Sequence, residues 1–427
     1  MNVLVSISIL ILNLLFISMS SKNYDRLNTP FNLICSLWTI MVSISLIIFY
    51  NFNFSYLGIL YIEFMIIFLF VGELLFFATV KNNSYQEKRT YFNENLAFKL
   101  MLIVIILSMI FPIKNIYEQN ISLSSLFNFN NLLEINNLMA TERYAGQSNN
   151  GSLLNSILLI SVYLAPLIGG YNLNFTIKKS QIIFCILTFL PSISIMLTQN
   201  AKAGVISSTF LFISAYLVGN LVKKKSGFSW KKTLKNFFGI IISLCIIISL
   251  LFTAMLLRVG KFDIFTIKLL SNKFLTYAFG HIPAFDEWIS HYKFTDISSI
   301  GVKTFYGIFD FLGIVERQPG LYKEVVFTGP IFSTNVYTWM RPLIEDFGIF
   351  FSLLIFIGIG ILIAKYTFKI QNNNEDKLSS VLLTAILFFL TYFVTSAWSY
   401  MSFIASFVFF CVYLILIRNK IKIYKET

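Results

Sequence analysis

Charge is scarce in this chain: of 427 residues only 12% are charged, against 57% hydrophobic. Soluble domains carry about 25% charged residues, and a globule of this size has no interior large enough for the apolar excess. A bilayer takes it up, provided that the apolar residues come as long unbroken runs. Histidine is limited to His281 and His291. The four cysteines, Cys35, Cys185, Cys245 and Cys411, each fall inside an apolar run. That placement argues against a disulfide framework or metal ligation and reads as small buried hydrophobes. No HExxH, CxxC or Walker-type pattern occurs, so neither a catalytic metal centre nor a cofactor is expected. The first apolar run, residues 3–19, lacks a basic leader and a small-residue cleavage site and reads as a retained helix. Internal repeats and a soluble domain are also lacking.

Long apolar runs are what the chain has. A helix needs about 20 apolar residues to cross the hydrocarbon core. Runs of that kind lie near 3–19, 31–50, 55–80, 97–113, 152–170, 180–198, 203–220, 236–257, 347–366, 379–397 and 400–417. The sequence therefore predicts an all-α polytopic membrane protein with about eleven transmembrane helices in one integral membrane domain over 1–427. The closely spaced pairs, 180–198 with 203–220 and 379–397 with 400–417, read as tight hairpins. The 47 Phe and 21 Tyr suit lipid-facing and interfacial positions.

Lys and Arg set the orientation, because cytoplasmic loops carry an excess of them. With the N-terminus outside, the inner loops hold 21 basic residues against 6 acidic, counting those at the adjoining helix ends. They include Lys88, Arg89, Lys178, Lys179, Lys223, Lys224 and Lys225 and the tail Arg418, Lys420, Lys422 and Lys425. The short outer connections hold Lys202 alone. The net charge of +13 thus reflects topology and contact with anionic lipid; it does not call for nucleic acid as a partner. Two outer loops are long, 114–151 and 258–346. The second exceeds the length at which loops are usually functional or disordered, about 15 residues, and its aromatic content argues for order. Segments 264–279 and 302–314 within it read as helices lying on the outer surface.

Ionisable groups near helix ends or inside spans are costly and frequently functional. The outward set is Arg143, Lys202, Arg258, His281, Arg317 and Arg341, with Asp286, Glu287, Glu345 and Asp346. Lys202 sits in QNAKAG, between two spans, and breaks the positive-inside pattern; it reads equally as a cation for an anionic ligand or as a snorkelling lysine. Arg143 in TERYAGQSNNG and Arg258 in MLLRVGK each suit an interfacial anchor when taken alone. Together with Lys202 and Arg341 they suggest a phosphate-binding cluster, since the guanidinium fork donates two parallel hydrogen bonds. His281, in YAFGHIPAFDEW, reads as a general base, as a donor to phosphate or sugar, or as a satisfied loop histidine. The richest stretch is TNVYTWMRPLIEDFG. There Tyr337 and Trp339 are candidates to stack on sugars, Asn335 to bind hydroxyls, Arg341 to bind phosphate, and Glu345 and Asp346 to take a proton. An aromatic belt with a helix starting at Pro342 explains only part of it. Glu63 and Glu73, within the third span, read as a proton or ion path or as carboxyls neutralised by packing.

The segment NVYTWMRPLIEDFG resembles the "NVYT…DFG" signature of bacterial Wzy-type O-antigen and capsule repeat-unit polymerases. QNAKAG and GHIPAFDEW are similar to further segments of that family, with Lys202 standing where relatives often have Arg. The resemblance implies a C-type glycosyltransferase architecture, shared with O-antigen ligases, in the bacterial cytoplasmic membrane with its site on the periplasmic side. It implies undecaprenyl-diphosphate-linked oligosaccharide units as substrates, delivered by a flippase. Transfer of the growing glycan would be inverting and metal-independent, and a chain-length regulator would be a further partner in polysaccharide (lipopolysaccharide or capsule) biosynthesis. An O-antigen ligase and a lipid-linked oligosaccharide flippase are the alternatives. Reporter fusions at Lys224 and Glu316 are expected on opposite sides of the membrane; two cytoplasmic signals would refute the orientation.

Overall fold

The computed structural model describes residues 2–24, 29–80, 90–118, 153–176, 178–199, 201–223, 248–256, 263–293, 299–315, 322–329, 333–372 and 376–420, and a few single positions between. The chain is a multi-pass membrane protein. Eight helices among the described residues are long and apolar enough to cross a membrane, and two shorter apolar helices follow them. In order the helices are α1 (Asn2–Tyr24), α2 (Pro30–Ile48), α3 (Leu57–Thr79), α4 (Glu94–Glu118), α5 (Leu153–Asn172), α6 (Lys179–Leu187), α7 (Leu190–Gln199), α8 (Lys202–Val222), α9 (Ile264–Phe279), α10 (His281–His291), α11 (Tyr306–Phe311), α12 (Met340–Asn372), α13 (Lys377–Thr391) and α14 (Met401–Ile417). Two small antiparallel pairs accompany them. Strand β1 (Thr90–Phe92) pairs with β4 (Arg418–Lys420), and β2 (Val326–Phe327) pairs with β3 (Ser333–Thr334).

The expected spans map onto these helices with informative differences. The run 180–198 is broken into α6 and α7 but forms one span of Lys179–Gln199. The run 379–397 stops at Thr391, after which the chain turns through a 3-10 segment, Ala397–Ser399. The helix α12 extends the run 347–366 at both ends and contains a break at Gly348, whose φ of 75° and ψ of 167° are not helical. Only residues 248–256 of the run 236–257 are described, and they are helical. Most of loop 114–151 lies outside the described residues. In the large loop 258–346, the segment 264–279 is helical as expected, whereas in 302–314 only Tyr306–Phe311 is helical. The GHIPAFDEW segment, expected as a loop, is mostly the helix α10.

The chain divides into two compact units. The first comprises Met1–Phe92, Leu275–Phe407 and Leu414–Thr427, and the second Asn93–Phe274 with Val408–Tyr413. In the second, α5 packs on α4 and α8, and α7 on α4 and α8. Phe111, Leu158, Val162 and Ile195 form one buried cluster there, and Met196, Val205, Leu251 and Ala254 another. In the first, the most extensive helix pairing is that of α3 with α12. Helix starts are specified locally. Thr29 accepts the Asn32 amide to cap α2, with Pro30 at the first helical position, and Asp376 accepts from Ser379 to cap α13. Large apolar side chains stay exposed along the spans, such as Leu4, Ile11 and Leu15 on α1 and Leu60, Phe64 and Leu75 on α3. Lipid is the environment in which that exposure costs nothing.

Between helices already in lipid the packing gain comes from close backbone approach, which small residues allow. A Cβ at Gly72 of α3 would lie 2.2 Å from the Ile357 carbonyl oxygen, and one at Gly360 of α12 would lie 2.2 Å from that of Leu69. Each glycine thus admits the other helix's backbone. Gly358, two residues away, faces open space. Gly72→Val or Gly360→Val is expected to destabilise the protein by about 1–3 kcal/mol or more through overpacking, with Gly358→Ala near neutral. Thermal unfolding in detergent measures the difference.

Candidate functional site

The TNVYTWMRPLIEDFG stretch is non-helical until a turn at Trp339 and then helical from Met340. The first two turns, 340–347, precede the break at Gly348, whose backbone angles are essentially confined to glycine. Arg341 and Glu345 therefore stand one helical turn apart on the same face, and Arg341 Nε donates to Glu345 Oε1 at 2.9 Å. Arg341 Nη2 donates to Glu324 Oε2 at 2.6 Å. The guanidinium carbon lies 3.7 Å from the ring centre of Tyr322, 4.1 Å from that of Tyr337 and 5.0 Å from that of Trp288. Three aromatic faces and two carboxylates thus enclose one cation. The Arg341 side chain is 5% exposed and that of Glu324 is 71% exposed, so the cage is open on the Glu324 side. The Tyr337 hydroxyl also lies close enough to the guanidinium to interact with it.

Glu345 Oε2 accepts from the Tyr322 hydroxyl at 2.9 Å and pairs with Lys303 Nζ at 3.0 Å. Burial, and then the Glu345 carboxylate, push the Tyr322 phenol well above its ordinary range, so it remains a neutral donor. Lys303, Tyr322 and Glu324 are not among the residues that the sequence singles out, and nothing in their local pattern marks them; Trp288 falls in the GHIPAFDEW segment, without a role of its own legible there. The site holds two cations and two carboxylates, so its charges balance.

Asp346 is 1% exposed and serves the backbone. It accepts from the Lys303 and Thr304 amides at 3.2 and 2.6 Å and from Ser299 Oγ at 2.7 Å. It thereby pins the turn that carries Lys303. Asp286 has the same kind of task. From α10 it accepts the amides of Ser55, Tyr56 and Gly58 at 2.6, 3.2 and 2.8 Å, capping the start of α3 from a different element. It also holds Tyr56 at a left-handed φ of 64°, a conformation that persists where its surroundings over-determine it.

The other expected site residues fall in different places. Asn335 is exposed and donates to the Tyr322 carbonyl at 3.3 Å. Tyr337 lies under Arg341 and its hydroxyl donates to the Glu324 carbonyl at 3.4 Å. Trp339 is fully enclosed by Trp38, Phe356 and Phe389, so its faces are taken by the protein's own core. His281 is also fully enclosed, stacked on Phe393 at 4.6 Å with Trp38 edge-on at 6.3 Å. Burial, partly offset by the Ala278 backbone, pushes its imidazole down to about 3. Lys202 is the first residue of α8, in the second unit. Arg143 and Arg258 lie outside the described residues. Among the described residues no group of three or more His, Cys, Asp or Glu side chains could hold a metal.

Comparison with protein-family models, curated proteins and solved structures gives no match.

His281 supplies a pH test. Its folded value near 3 lies below the ordinary 6.5, so between these values the unfolded chain binds more protons. The neutral, buried ring contributes its full stability above about pH 6.5, and this is lost as pH falls toward 3, by up to about 1.4 kcal/mol per pH unit. His281→Phe is expected to flatten the acid limb of a plot of unfolding free energy against pH. An unchanged limb would mean that the imidazole is already protonated in place.

Proposed function

We propose that the chain is a glycosyltransferase of the Wzy type, joining lipid-diphosphate-linked oligosaccharide repeat units at the extracytoplasmic surface. The observation that carries this reading is the Arg341 cage within the segment that resembles the family. A guanidinium fixed at Nε by Glu345 and paired at Nη2 with an exposed carboxylate is prepared to exchange that carboxylate for phosphate oxygen. Aromatic rings around the cage hold its orientation in the absence of ligand. Lys303 adds a second cation on the same carboxylate.

In the reaction the bond from the donor sugar's anomeric carbon to the diphosphate breaks. A bond to the acceptor hydroxyl forms on the opposite face, and the lipid diphosphate leaves with the electron pair. Charge grows on the diphosphate in the transition state, where Arg341 and Lys303 oppose it. The hydroxyl's proton needs a base. His281 is enclosed, Asp346 serves backbone amides, and Glu345 is held by Arg341, Lys303 and Tyr322. Glu324, once displaced from Arg341, is the solvent-facing carboxylate suited to that task.

A second reading, a lipid-linked oligosaccharide flippase, is favoured by the two carboxyls buried in α3, Glu63 and Glu73, since transporters use such groups.

The test uses cells lacking the native gene, with glycan chain length as readout and membrane protein level as control. Arg341→Ala would leave Glu345 short of its buried partner, at a cost of about 3–5 kcal/mol, so Arg341→Lys is the cleaner variant. It keeps the charge and loses the fork, and chain growth is expected to fall by about a hundredfold or more. Glu324→Gln is expected to slow transfer while retaining the lipid diphosphate. Full-length polymer from Arg341→Lys at normal protein level would remove the cage from the reaction, and accumulation of unpolymerised units on the inner leaflet would favour the flippase.

A further inference from the structure

The polymerase reading leaves Glu63 and Glu73 unused. Both lie on α3 within the span and are 7% and 1% exposed. No salt bridge among the described residues involves either. Each instead meets an asparagine of α1. Asn13 Nδ2 lies 3.2 Å from Glu63 Oε2, and Asn23 Nδ2 donates to Glu73 Oε1 at 3.3 Å. The two contacts share one sequence offset, fifty residues, so α1 and α3 run parallel and in register. A third contact, Tyr56 Oη to Asn2 Oδ1 at 2.5 Å, continues the seam at the helix starts. Ten residues of helix rise about 15 Å, so the two carboxyls divide the span into steps.

The second step is built to hold something. Glu73 Oε2, Ser20 Oγ and the Tyr24 hydroxyl are all buried and face one another; Ser20 and Tyr24 lie near enough to act on the Glu73 carboxyl, yet none of the three oxygens completes a well-formed hydrogen bond. Ser20, Asn23 and Tyr24 fall at i, i+3 and i+4 on α1, one face of the helix. Asn23 is exposed, which opens the cup at that end. Three buried oxygens with no cation or full set of donors among them are expensive in the bilayer, and a carboxyl among them marks a functional position.

We propose that the α1–α3 seam is a monovalent-cation site, in which Glu73, Ser20 and Tyr24 take up a proton or a sodium ion and Glu63 forms the next station along the seam. The shared chemistry is a small cation on hard oxygens. Other groups do not compete for it. Besides Tyr24, α1 brings Lys22, which is exposed, and α2 brings Cys35, beside Glu63. From α12, packed against α3 at Gly72, Lys365 and Lys369 have exposed side chains, and Lys369 is paired with Asp376. The proposal does not depend on the polymerase reading and would hold equally for a transporter.

A hydrophobic carbodiimide tests it on the full-length protein in liposomes, because such reagents modify protonated carboxyls in apolar surroundings. Peptide mass analysis is expected to find adducts on Glu73 and Glu63, several-fold fewer as pH rises from mildly acidic to mildly alkaline. Glu73→Gln should lose its own adduct only. Sodium that slows labelling of Glu73 several-fold identifies sodium as the occupant; indifference to sodium identifies the proton. Tyr24→Phe, a milder change, should alter the labelling rate or its sodium protection at Glu73. Absence of adducts across the whole pH range, in protein whose thermal unfolding is unchanged, would overturn the proposal and leave the seam as interhelical hydrogen bonding. A labelling rate independent of pH, sodium and Tyr24 would overturn it as well.

Discussion

Everything in the first unit hangs on the contact between α3 and α12, made by two glycines that let the backbones meet. In lipid, burial of apolar surface supplies little between helices, so dispersion and local polar bonds decide which surfaces join. Once α3 and α12 are joined, the other neighbours of α3 are determined. Its start is clamped by Asp286 of α10. Its polar face can satisfy Glu63 and Glu73 only against α1. The start of α12 is brought beside the turn carrying Lys303, and Asp346 locks the two together.

Charge around the candidate site is handled by matching. Arg341 and Lys303 stand against Glu345 and Glu324, and Asp286 and Asp346 are met by backbone amides. Such matching is required because an isolated ion out of water is far costlier than a paired one. It also changes the picture of the candidate site. A cluster of cations awaiting an anion would repel itself in the absence of ligand; a balanced set with one exposed member can exchange that member for a ligand at small cost. Glu324 is that member, and its exposure is the structural basis of the proposed exchange.

The aromatic residues divide between two tasks in the same stretch of chain. Tyr337, with Tyr322 and Trp288, faces the guanidinium and orients it. Trp339, two residues further on, fills the core with Trp38, Phe356 and Phe389. Trp38 also meets His281 edge-on and fixes α13 by donating to the Leu390 carbonyl at 2.9 Å. The packing around the site and the packing of the spans therefore share side chains, so a change in one is felt in the other.

By itself the sequence determined the class of structure. Apolar runs of bilayer length make membrane-crossing helices whatever surrounds them, because the backbone has no other way to satisfy its polar groups in hydrocarbon. It also marked the 335–348 segment as unusual, since amide, cationic and acidic residues gather there without a local structural need. The roles inside that segment were not legible. Trp339 and Tyr337 have the same local signature, yet one is core and the other a cage wall. Asp346 and Glu345 are adjacent, yet one holds a backbone turn and the other a guanidinium. Gly280 and Pro283 are breakers in isolation, so the sequence of α10 reads as a loop, whereas tertiary contacts to α2 and α3 hold it as a helix. Lys303, Tyr322 and Glu324 lie 17–38 residues before Arg341 in the chain, and only folding brings them together. Local pattern decides which long apolar segments become spans; which side chains meet across a long loop is decided by the partners each buried charge must find.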